Sequence, residues 1–403
     1  MRTARFTRSV LLGGTALALL LTTGPVAAQA AANPAAKTAH VHVCGAPAHG
    51  AAACNAIRVD KVSSNGKVQP NATPSGYGPA DLQSAYALPS STAGAGQTVA
   101  IVDAYDDPKA EADLKVYRAQ YGLPPCTTAN GCFRKVGQTG SPTSLPRGNG
   151  GWAQEISLDL DMASAICPNC NILLVEASSA SMTNLGTAVN QAAKLGATEI
   201  SNSYGGSESS SDTSYDSKYF SHPGVAITAS SGDNGYGVEY PAASANVTAV
   251  GGTSLKKSST TRGWTETAWN GAGSGCSAYD PAISGQASVS TGCTKRAVAD
   301  VSAVADPSTG VAVYDSYTYQ GVSGWLVFGG TSVASPVIAS VYALAGGVGS
   351  STTNSSLYSS PSGSLNDVVN GSNGTCTTKV LCTAGTGWDG PTGLGTPNGT
   401  AAF

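Results

Sequence analysis

Residues 152–203 read WAQEISLDLDMASAICPNCNILLVEASSASMTNLGTAVNQAAKLGATEISNS, and the spacing of their apolar residues decides the fold class. It predicts a helix over Trp152–Ala165, a strand over Asn171–Ala177, a helix over Met182–Leu195 and a strand over Thr198–Ser203. The run NILLVEA is continuously apolar, which is typical of a strand buried on both faces. A buried strand, a helix and another strand in this order predict parallel pairing.

The same alternation continues on both sides of this stretch. Gln97–Asp103 is a β-branched apolar run that predicts a strand, and Ala110–Gln120 has helical spacing. Val225–Ser230 and Val247–Gly251 are further short strands. Right-handed crossovers place the connecting helices over the sheet. The sequence therefore predicts an α/β fold with a mostly parallel central sheet and helices on both faces.

The N-terminus has the composition of a secretory signal peptide. Arg2, Arg5 and Arg8 precede an apolar run over Val10–Leu21, and small residues follow at 27–31. The apolar run is shorter than the about 20 residues that a membrane span needs. We therefore expect a signal peptide over 1–30, a secreted extracellular product and no membrane association after its removal. A retained N-terminal anchor is the alternative.

Residues 31–75 are rich in Ala, Pro, Asn and Ser, and we interpret them as a short, loosely structured leader or propeptide. A globular pattern follows, which predicts one domain over 76–403. The net charge is −3, only 11% of residues are charged, and no basic stripe is present. We therefore expect no nucleic-acid partner.

Ten cysteines in an exported chain indicate disulfides. They fall in couples that are close in sequence, and neighbour pairing is the simplest connectivity. Cys167-Pro-Asn-Cys170 is also compatible with a redox motif or half of a zinc site. A structural bridge is favoured there because no second C-x-x-C is present. The expected pairs are Cys44/Cys54, Cys126/Cys132, Cys167/Cys170, Cys276/Cys293 and Cys376/Cys382.

The segment Gly329-Gly330-Thr331-Ser332 is a candidate nucleophile turn. It lies between the apolar run Trp325–Phe328 and a helix that is predicted to continue through Leu344. A serine at a helix start exposes its hydroxyl, and the helix amides there stabilise a developing oxyanion. The alternative is that Thr331 and Ser332 only cap the helix.

A nucleophilic serine needs a base, and two kinds of base are available. His222 could form a triad with Asp103 and Ser332, although its Ser-His-Pro-Gly context indicates a turn. Glu155 and Asp159 lie four residues apart on one helix face, where like charges raise the pKa of one carboxyl. A solvated acidic helix face is the alternative for this pair.

Ala229-Ser230-Ser231-Gly232-Asp233-Asn234-Gly235 follows the strand over Val225–Ser230. As a neutral carboxylic acid, Asp233 could donate a hydrogen bond to an oxyanion. An aspartate in an ordinary polar turn is the alternative.

Taken together, Glu-x-x-x-Asp in a helix, Ser-Gly-Asp after a strand and Gly-Thr-Ser-x-x-x-Pro opening a helix resemble the sedolisin, or serine-carboxyl peptidase, family. The resemblance extends from about Gly78 to Phe403 and implies a subtilisin-like fold. It also implies roles for four residues: Ser332 as nucleophile, Glu155 as general base and acid, Asp159 as the carboxylate orienting Glu155, and Asp233 as the oxyanion-hole acid.

The resemblance further implies one structural calcium ion and a substrate-binding edge. The calcium ligands would be the carboxylates of Asp367 and Asp389 with the carbonyls of Val368, Gly385 and Gly387, all oxygen donors that suit a hard cation. The substrate-binding edge would be Ser203-Tyr204-Gly205, where backbone pairing holds an extended peptide.

The expected activity is hydrolysis of protein or peptide bonds in acid by an endopeptidase, which we expect to be a monomer. A tripeptidyl exopeptidase of the same family and a catalytically silent secreted binding protein on the same scaffold are the alternatives. The sequence departs from the family pattern in three places. Tyr204 stands where many members have a tryptophan, and Asp103 stands near the place where some have a glutamate that extends the carboxylate network. The segment before the catalytic domain is also shorter than the family's large prodomain.

Overall fold

The computed structural model describes residues 37–63, 68–69, 71–348 and 353–403, so the predicted signal peptide lies outside the described residues. The helices are α1 Pro79–Ala85, α2 Ala110–Gln120, α3 Gly150–Ile166, α4 Met182–Lys194, α5 Asp212–Tyr215, α6 Thr331–Ala345 and α7 Thr353–Tyr358. The strands are β1 Lys37–His42, β2 Ala53–Cys54, β3 Ile57–Val62, β4 Val68–Gln69, β5 Thr98–Ala104, β6 Phe133–Gly137, β7 Asn171–Ala177, β8 Glu199–Asn202, β9 Tyr204–Ser207, β10 Ala226–Ser230, β11 Glu239–Tyr240, β12 Thr248–Lys257, β13 Trp264–Ala268, β14 Gly275–Cys276, β15 Ala297–Val298, β16 Val301–Val304, β17 Val311–Tyr319, β18 Val322–Gly329, β19 Leu365–Asn366 and β20 Thr396–Pro397.

The central sheet has the strand order β13-β12-β10-β8-β5-β7-β6, with β16 also paired to β12. Every pair in it is parallel except β12 with β13. The predicted strand Asn171–Ala177 and helix Ala110–Gln120 have the predicted bounds, and the other predicted elements differ by a few residues at their ends. The predicted mostly parallel α/β fold is therefore confirmed.

The helices cover this sheet and position the candidate site. α3 and α6 pack on each other and on the sheet, α3 against β5 and α6 against β8, β10 and β16. α4 packs against β5 and β7. The start of α6 contacts Ser203, which follows β8, and Asp233, which follows β10. The carboxyl ends of parallel strands are where polar sites form in such sheets.

The described residues 37–62 of the segment before the predicted domain form paired strands, which differs from the loose leader expected over 31–75. β1 pairs with β3 over six residue pairs, β3 pairs with β18, and β2 pairs with β9. The chain from Ala36 to Phe403 forms one compact unit. The composition of 31–75 predicts a loose segment. Residues 57–62 instead form β3, which pairs with β18 and β1, and this pairing orders the described part of the segment.

All five expected disulfides are present in the described part of the chain, and Cys167–Cys170 is one of them. The redox and zinc interpretations of that couple are therefore not needed. Among the described residues, no helix combines the length and apolar character of a membrane span.

Candidate active site

Helix α3 carries the two predicted helix carboxylates into the interior. The Asn149 side-chain oxygen caps the helix by accepting from the amides of Gly151 and Trp152 at 3.1 and 3.2 Å. From Gly151 to Ile166 every residue of the helix is buried, and Glu155 and Asp159 are 0% exposed. The interpretation of these residues as a solvated helix face is therefore wrong.

Ser332 lies at the second residue of α6, directly after a sharp turn. β18 ends at Gly329, and Gly330 has a φ of +98°, a left-handed conformation that favours glycine. Gly330 is the N-cap of the helix, so Thr331 and Ser332 are not capping residues. The Ser332 hydroxyl donates to the Ser203 carbonyl at 3.1 Å, and the Ser203 hydroxyl donates to the Ser332 carbonyl at 3.3 Å.

The carboxyl groups near Ser332 have raised pKa values. Burial raises the pKa of Glu155 well above its ordinary value, the Asp159 and Asp103 carboxylates raise it further, and hydrogen bonding to the Ser332 hydroxyl lowers it. Burial and the Asp103 charge raise the pKa of Asp159, whereas hydrogen bonds from Ser203 and Glu155 lower it. Burial also raises the pKa of Asp103 to about 8. Asp103 is thus a member of this carboxyl cluster, at the place where some members of the sedolisin family have a glutamate that extends the carboxylate network.

Asp233 lies across from this cluster, after β10. Its Oδ1 accepts from the Thr331 amide at 2.7 Å and from the Thr331 hydroxyl at 2.8 Å. Its Oδ2 is buried and has no hydrogen-bond partner among the described residues. Burial raises the pKa of Asp233 well above its ordinary value, although the two hydrogen bonds from Thr331 lower it. A protonated Oδ2 is therefore available as a donor.

The oxygens of this cluster are buried away from cations and well-aligned donors. Both oxygens of Glu155, Asp159 and Asp103 are buried without a well-aligned donor among the described residues. No ion pair in the described part of the chain includes any of the three. Buried carboxyl oxygens that have no cation and no well-aligned donor nearby are satisfied when some of the groups carry a proton.

His222 is not part of this cluster. Its Nε2 bonds the Asn190 side chain at 2.9 Å and the Tyr219 carbonyl at 3.1 Å. Burial lowers the pKa of the ring. The structure therefore does not bring His222 to Ser332, and the triad of Asp103, His222 and Ser332 is not formed.

The predicted substrate-binding edge lies beside Ser332 and is covered by the chain itself. Ala53 pairs with Gly205 and Cys54 pairs with Tyr204, both in antiparallel register. The Tyr204 hydroxyl donates to the Asn202 side chain at 2.7 Å, and its ring lies 6.3 Å from that of Trp152.

Asn55, which follows that covering strand, reaches the Ser332 turn. Its amide donates to the Ser203 carbonyl at 3.2 Å, and its carbonyl accepts from the Ser332 amide at 3.3 Å. Sequence reasoning missed Asn55 because no local pattern in its stretch indicates a contact 277 residues further along the chain.

The residues predicted to bind calcium lie together near the C-terminus. Asp389 Oδ2 accepts from the Gly385 amide at 3.1 Å, and Asp367 Oδ2 accepts from the Gly387 amide at 3.0 Å. The carbonyls of Val368, Gly385 and Gly387 accept no hydrogen bond from any described residue. Free carbonyls beside two carboxylates form an oxygen set that fits a hard cation.

The subtilase family profile matches residues 148–381, which include Glu155, Asp159, Asp233 and Ser332. Kumamolisin from Bacillus sp. (strain MN-32) is 32% identical over 369 residues, which are 82% of this chain and 63% of that protein. Sedolisin from Pseudomonas sp. (strain 101) is 27% identical over 361 residues, 80% of this chain and 60% of that protein. The chain therefore spans about three fifths of the length of these two relatives.

A solved structure, described as Pseudomonas sedolisin (serine-carboxyl proteinase) complexed with two molecules of pseudo-iodotyrostatin, has a TM-score of 0.67 and 28% identity to this chain. The match covers 81% of this chain and 96% of that one. Sphericase, with a TM-score of 0.51 and 20% identity over 80% of this chain and 97% of that one, shows the same fold. The chain thus belongs to the subtilase family and, within it, to the sedolisin or serine-carboxyl peptidase group.

Proposed function

We propose that this chain is a secreted, acid-acting serine-carboxyl endopeptidase. One observation carries the proposal. Ser332 has the buried carboxyl cluster with Glu155 on one side and the carboxyl group of Asp233 on the other, and its amide donates a hydrogen bond to a peptide carbonyl, that of Asn55. A nucleophile, a base and an oxyanion donor around one carbonyl carbon are the parts that acyl transfer requires.

Each residue has one task in this mechanism. Ser332 Oγ attacks the carbonyl carbon and Glu155 takes its proton. Glu155 then gives a proton to the leaving amine, and water hydrolyses the ester by the same path in reverse. Asp159 shares a proton with Glu155 and orients it. The Ser332 amide and the protonated Oδ2 of Asp233 stabilise the oxyanion.

The protonation states favour acid. The pKa of Asp233 is raised by burial, so it donates a hydrogen bond below that value and repels an oxyanion above it. The Glu155 and Asp159 pair must have lost one proton to act as a base, which sets the lower limit of the active range. Activity should therefore fall as the pH rises through the pKa of Asp233.

The chain's own segment over 52–58 passes Ser332 and continues on both sides of it, which supports an endopeptidase rather than a tripeptidyl exopeptidase. On the amino side, the bound segment continues beyond Ala53, with the Ala52 amide donating to the Ala180 carbonyl at 2.8 Å. On the carboxyl side, Ile57 pairs with Gly329 and Arg58 with Phe328. A chain that enters and leaves the cleft needs no free terminus near Ser332.

Calcium and export complete the proposal. Asp367 and Asp389, with the carbonyls of Val368, Gly385 and Gly387, would hold the ion, which would neutralise the two carboxylates and fix the loop. Five disulfides and the signal-like N-terminus support a destination outside the cytosol. Protein or peptide substrates follow from the proposed reaction.

The test is a pH–rate profile on a denatured protein with the native chain and three variants. Ser332→Ala should lose at least about 10⁴-fold in kcat, and Glu155→Gln about 10²- to 10⁴-fold. His222→Ala is the matched control and should match the native chain at every pH. Full activity in Glu155→Gln, or loss in His222→Ala with a neutral optimum, would refute the mechanism.

A further inference from the structure

Three carboxyl groups come together beyond the end of β9. Glu208 directly follows this strand, Asp212 is the first residue of α5, and Asp280 lies in the loop between β14 and β15. One oxygen from each residue lies within 4.8 Å of the oxygens from the other two. Two oxygens on opposite sides of a calcium ion are about 4.6 to 5.2 Å apart. One ion of this size would therefore reach all three carboxylates.

Asp280 is the member of this group whose charge nothing balances. The residue is 0% exposed, and neither of its carboxyl oxygens has a hydrogen-bond donor among the described residues. Burial raises the pKa of Asp280 to about 8, together with the charges of the neighbouring carboxylates, first among them Asp216. A buried carboxyl group without a donor needs either a proton or a cation.

The other two carboxylates are held in place by the chain around them. Glu208 accepts from the Ser277 hydroxyl and from the Ala278 amide, the latter at 3.1 Å. Asp212 accepts from the amide and the hydroxyl of Ser209, at 2.7 and 2.8 Å. A carboxylate has about four lone-pair sites on its two oxygens, so these bonds leave room for a cation on the same groups.

No cationic side chain in the described part of the chain takes the place of an ion. None of the three carboxylates forms an ion pair there with Lys, Arg or His. Arg296 is near enough for the Asp280 charge to act on it, but its guanidinium is already paired with both oxygens of Asp300. Like charges that are gathered in this way, with nothing between them, favour a multivalent cation.

A second group of buried carboxylates has donors that Asp280 lacks. Asp107, Asp113 and Asp315 also lie close together. Each of them accepts from a backbone amide, and the donors are Lys109, Ser316 and Tyr317, respectively. Burial raises the pKa of Asp107 to about 7, and the Lys135 charge is among the effects that lower it. We therefore assign no ion to this group, and Asp315 provides a matched control.

The group at Glu208 borders a cavity through which an ion can enter. Glu208, Asp212, Tyr240 and Tyr279 are among the residues that line this cavity of about 650 Å³, and Tyr279 is 41% exposed. The cavity has room for water molecules beside the carboxylates. Because calcium takes six to eight oxygen ligands, water would complete the coordination that three carboxylates begin.

We propose that Glu208, Asp212 and Asp280 bind a second divalent cation of the calcium type. The ligands are carboxylate oxygens and water, a set that suits a hard cation rather than zinc. This site is separate from the one predicted at Asp367 and Asp389. The ion would tie the end of β9 to the loop that the Cys276–Cys293 disulfide closes. The site does not depend on the proposed reaction, because it uses none of the residues that carry it.

The first experiment counts bound ions on the full chain with Ser332→Ala, which prevents autolysis. Equilibrium dialysis against Ca²⁺ at about pH 7.5, where the ligands can lose their protons, should give one ion fewer for Asp280→Asn than for the parent chain. Asp389→Asn should remove a different ion, so the double variant should bind none. Asp315→Asn, the same substitution in the other group, should bind as many ions as the parent.

The second experiment locates the ion with Tb³⁺, a hard cation that occupies calcium sites and emits light when a nearby aromatic ring transfers energy to it. In the Asp389→Asn background, excitation of tyrosine should give Tb³⁺ emission through Tyr240 and Tyr279, and Ca²⁺ should quench it by displacement. Glu208→Gln changes a partly exposed residue and should leave the fold intact. It should weaken Tb³⁺ binding at least about tenfold, since even the loss of an outer-shell partner costs that much.

Thermal unfolding separates an ion site from a purely structural group. Without divalent cations near neutral pH, Asp280→Asn should melt no lower than its parent, because it removes one of several like charges. Ca²⁺ should raise the melting temperature of the Asp389→Asn chain but not that of the chain with both substitutions. Equal ion counts for Asp280→Asn and its parent, or Tb³⁺ emission that Glu208→Gln leaves unchanged, would overturn the site.

Discussion

Asp103→Asn tests whether the buried carboxyl cluster is held neutral at a cost to stability. Asp103 is 0% exposed, and neither of its oxygens has a hydrogen-bond partner among the described residues. Burial raises its pKa from 3.8 to about 8. Because the folded pKa is the higher one, the folded state keeps a proton that the unfolded chain releases, and stability is lost as the pH rises from the unfolded value towards the folded one.

The size of the effect follows from that interval. About three pH units separate the pKa of Asp103 in the unfolded chain from pH 7, and each unit corresponds to about 1.4 kcal/mol of unfolding free energy. The ionisation of Asp103 should therefore lower the unfolding free energy of the native chain by about 4 kcal/mol at pH 7. Asparagine keeps the shape, supplies a donor as the protonated acid does, and has no proton to lose. Asp103→Asn should therefore remove most of that loss.

The assay is urea unfolding at several pH values from about 4 to 7, with both chains in a Ser332→Ala background so that no autolysis intervenes. The unfolding free energies of the two chains should agree in acid and diverge as the pH rises, with the variant the more stable. Equal slopes against pH, or a steeper fall in the variant, would refute the protonated cluster.

Four further outcomes are expected. Gly330→Ala should abolish peptidase activity, because the added methyl group would collide with the position of the Asn55 carbonyl. The control Gly346→Ala has a similar φ of +97° but open space around it, so it should stay active and lose only about 1 kcal/mol of stability. A peptide assay in which both variants are inactive, or both are active, would contradict this. Asp233→Ala should lower kcat about 10²- to 10³-fold in acid, since one of two oxyanion donors is lost, and full activity at low pH would contradict that role. Calcium at 100 times its Kd should raise the unfolding free energy by about 2.7 kcal/mol, and Asp389→Asn should reduce this gain. A melting temperature that a chelator does not change would contradict the calcium site. Burial raises the pKa of Glu199 to about 8, so Glu199→Gln should recover about 3 kcal/mol of the stability that the native chain loses between acid and pH 7. Its kcat should not change, and an unchanged dependence of stability on pH would contradict this.

Much of the central fold could be predicted because its signals are local. Asn171–Ala177 is an uninterrupted apolar run, and Met182–Leu195 has helical spacing, so each pattern indicates its own element. The order of these elements along the chain then limits the sheet to a few parallel arrangements. The candidate site was partly predictable for the same reason, since Glu155 and Asp159 share a helix face whatever surrounds it.

The remainder depends on contacts between distant parts of the chain. Whether Glu155 is solvated or buried is decided by α6 and the sheet around it, not by the helix sequence. β1 and β3 are stable because β18 offers an edge, and no residue in 31–75 indicates this. Asn55, Ser230 and Glu239 come together from three separate segments, so the hydrogen bonds between them form only once the sheets are assembled.

Protonation links the stability of this fold to its chemistry. The carboxyl groups that must keep a proton for the fold to be stable include the ones that must hold or exchange a proton for the reaction. Above its raised pKa, an ionised Asp233 would face the Asn55 carbonyl as a second acceptor, and repulsion would weaken that contact. In acid the same oxygen donates, which draws the carbonyl into the oxyanion site and stabilises the charge that forms there. Acid therefore strengthens the contact at the Asn55 carbonyl and, through the same proton, supplies the second oxyanion donor of the proposed reaction.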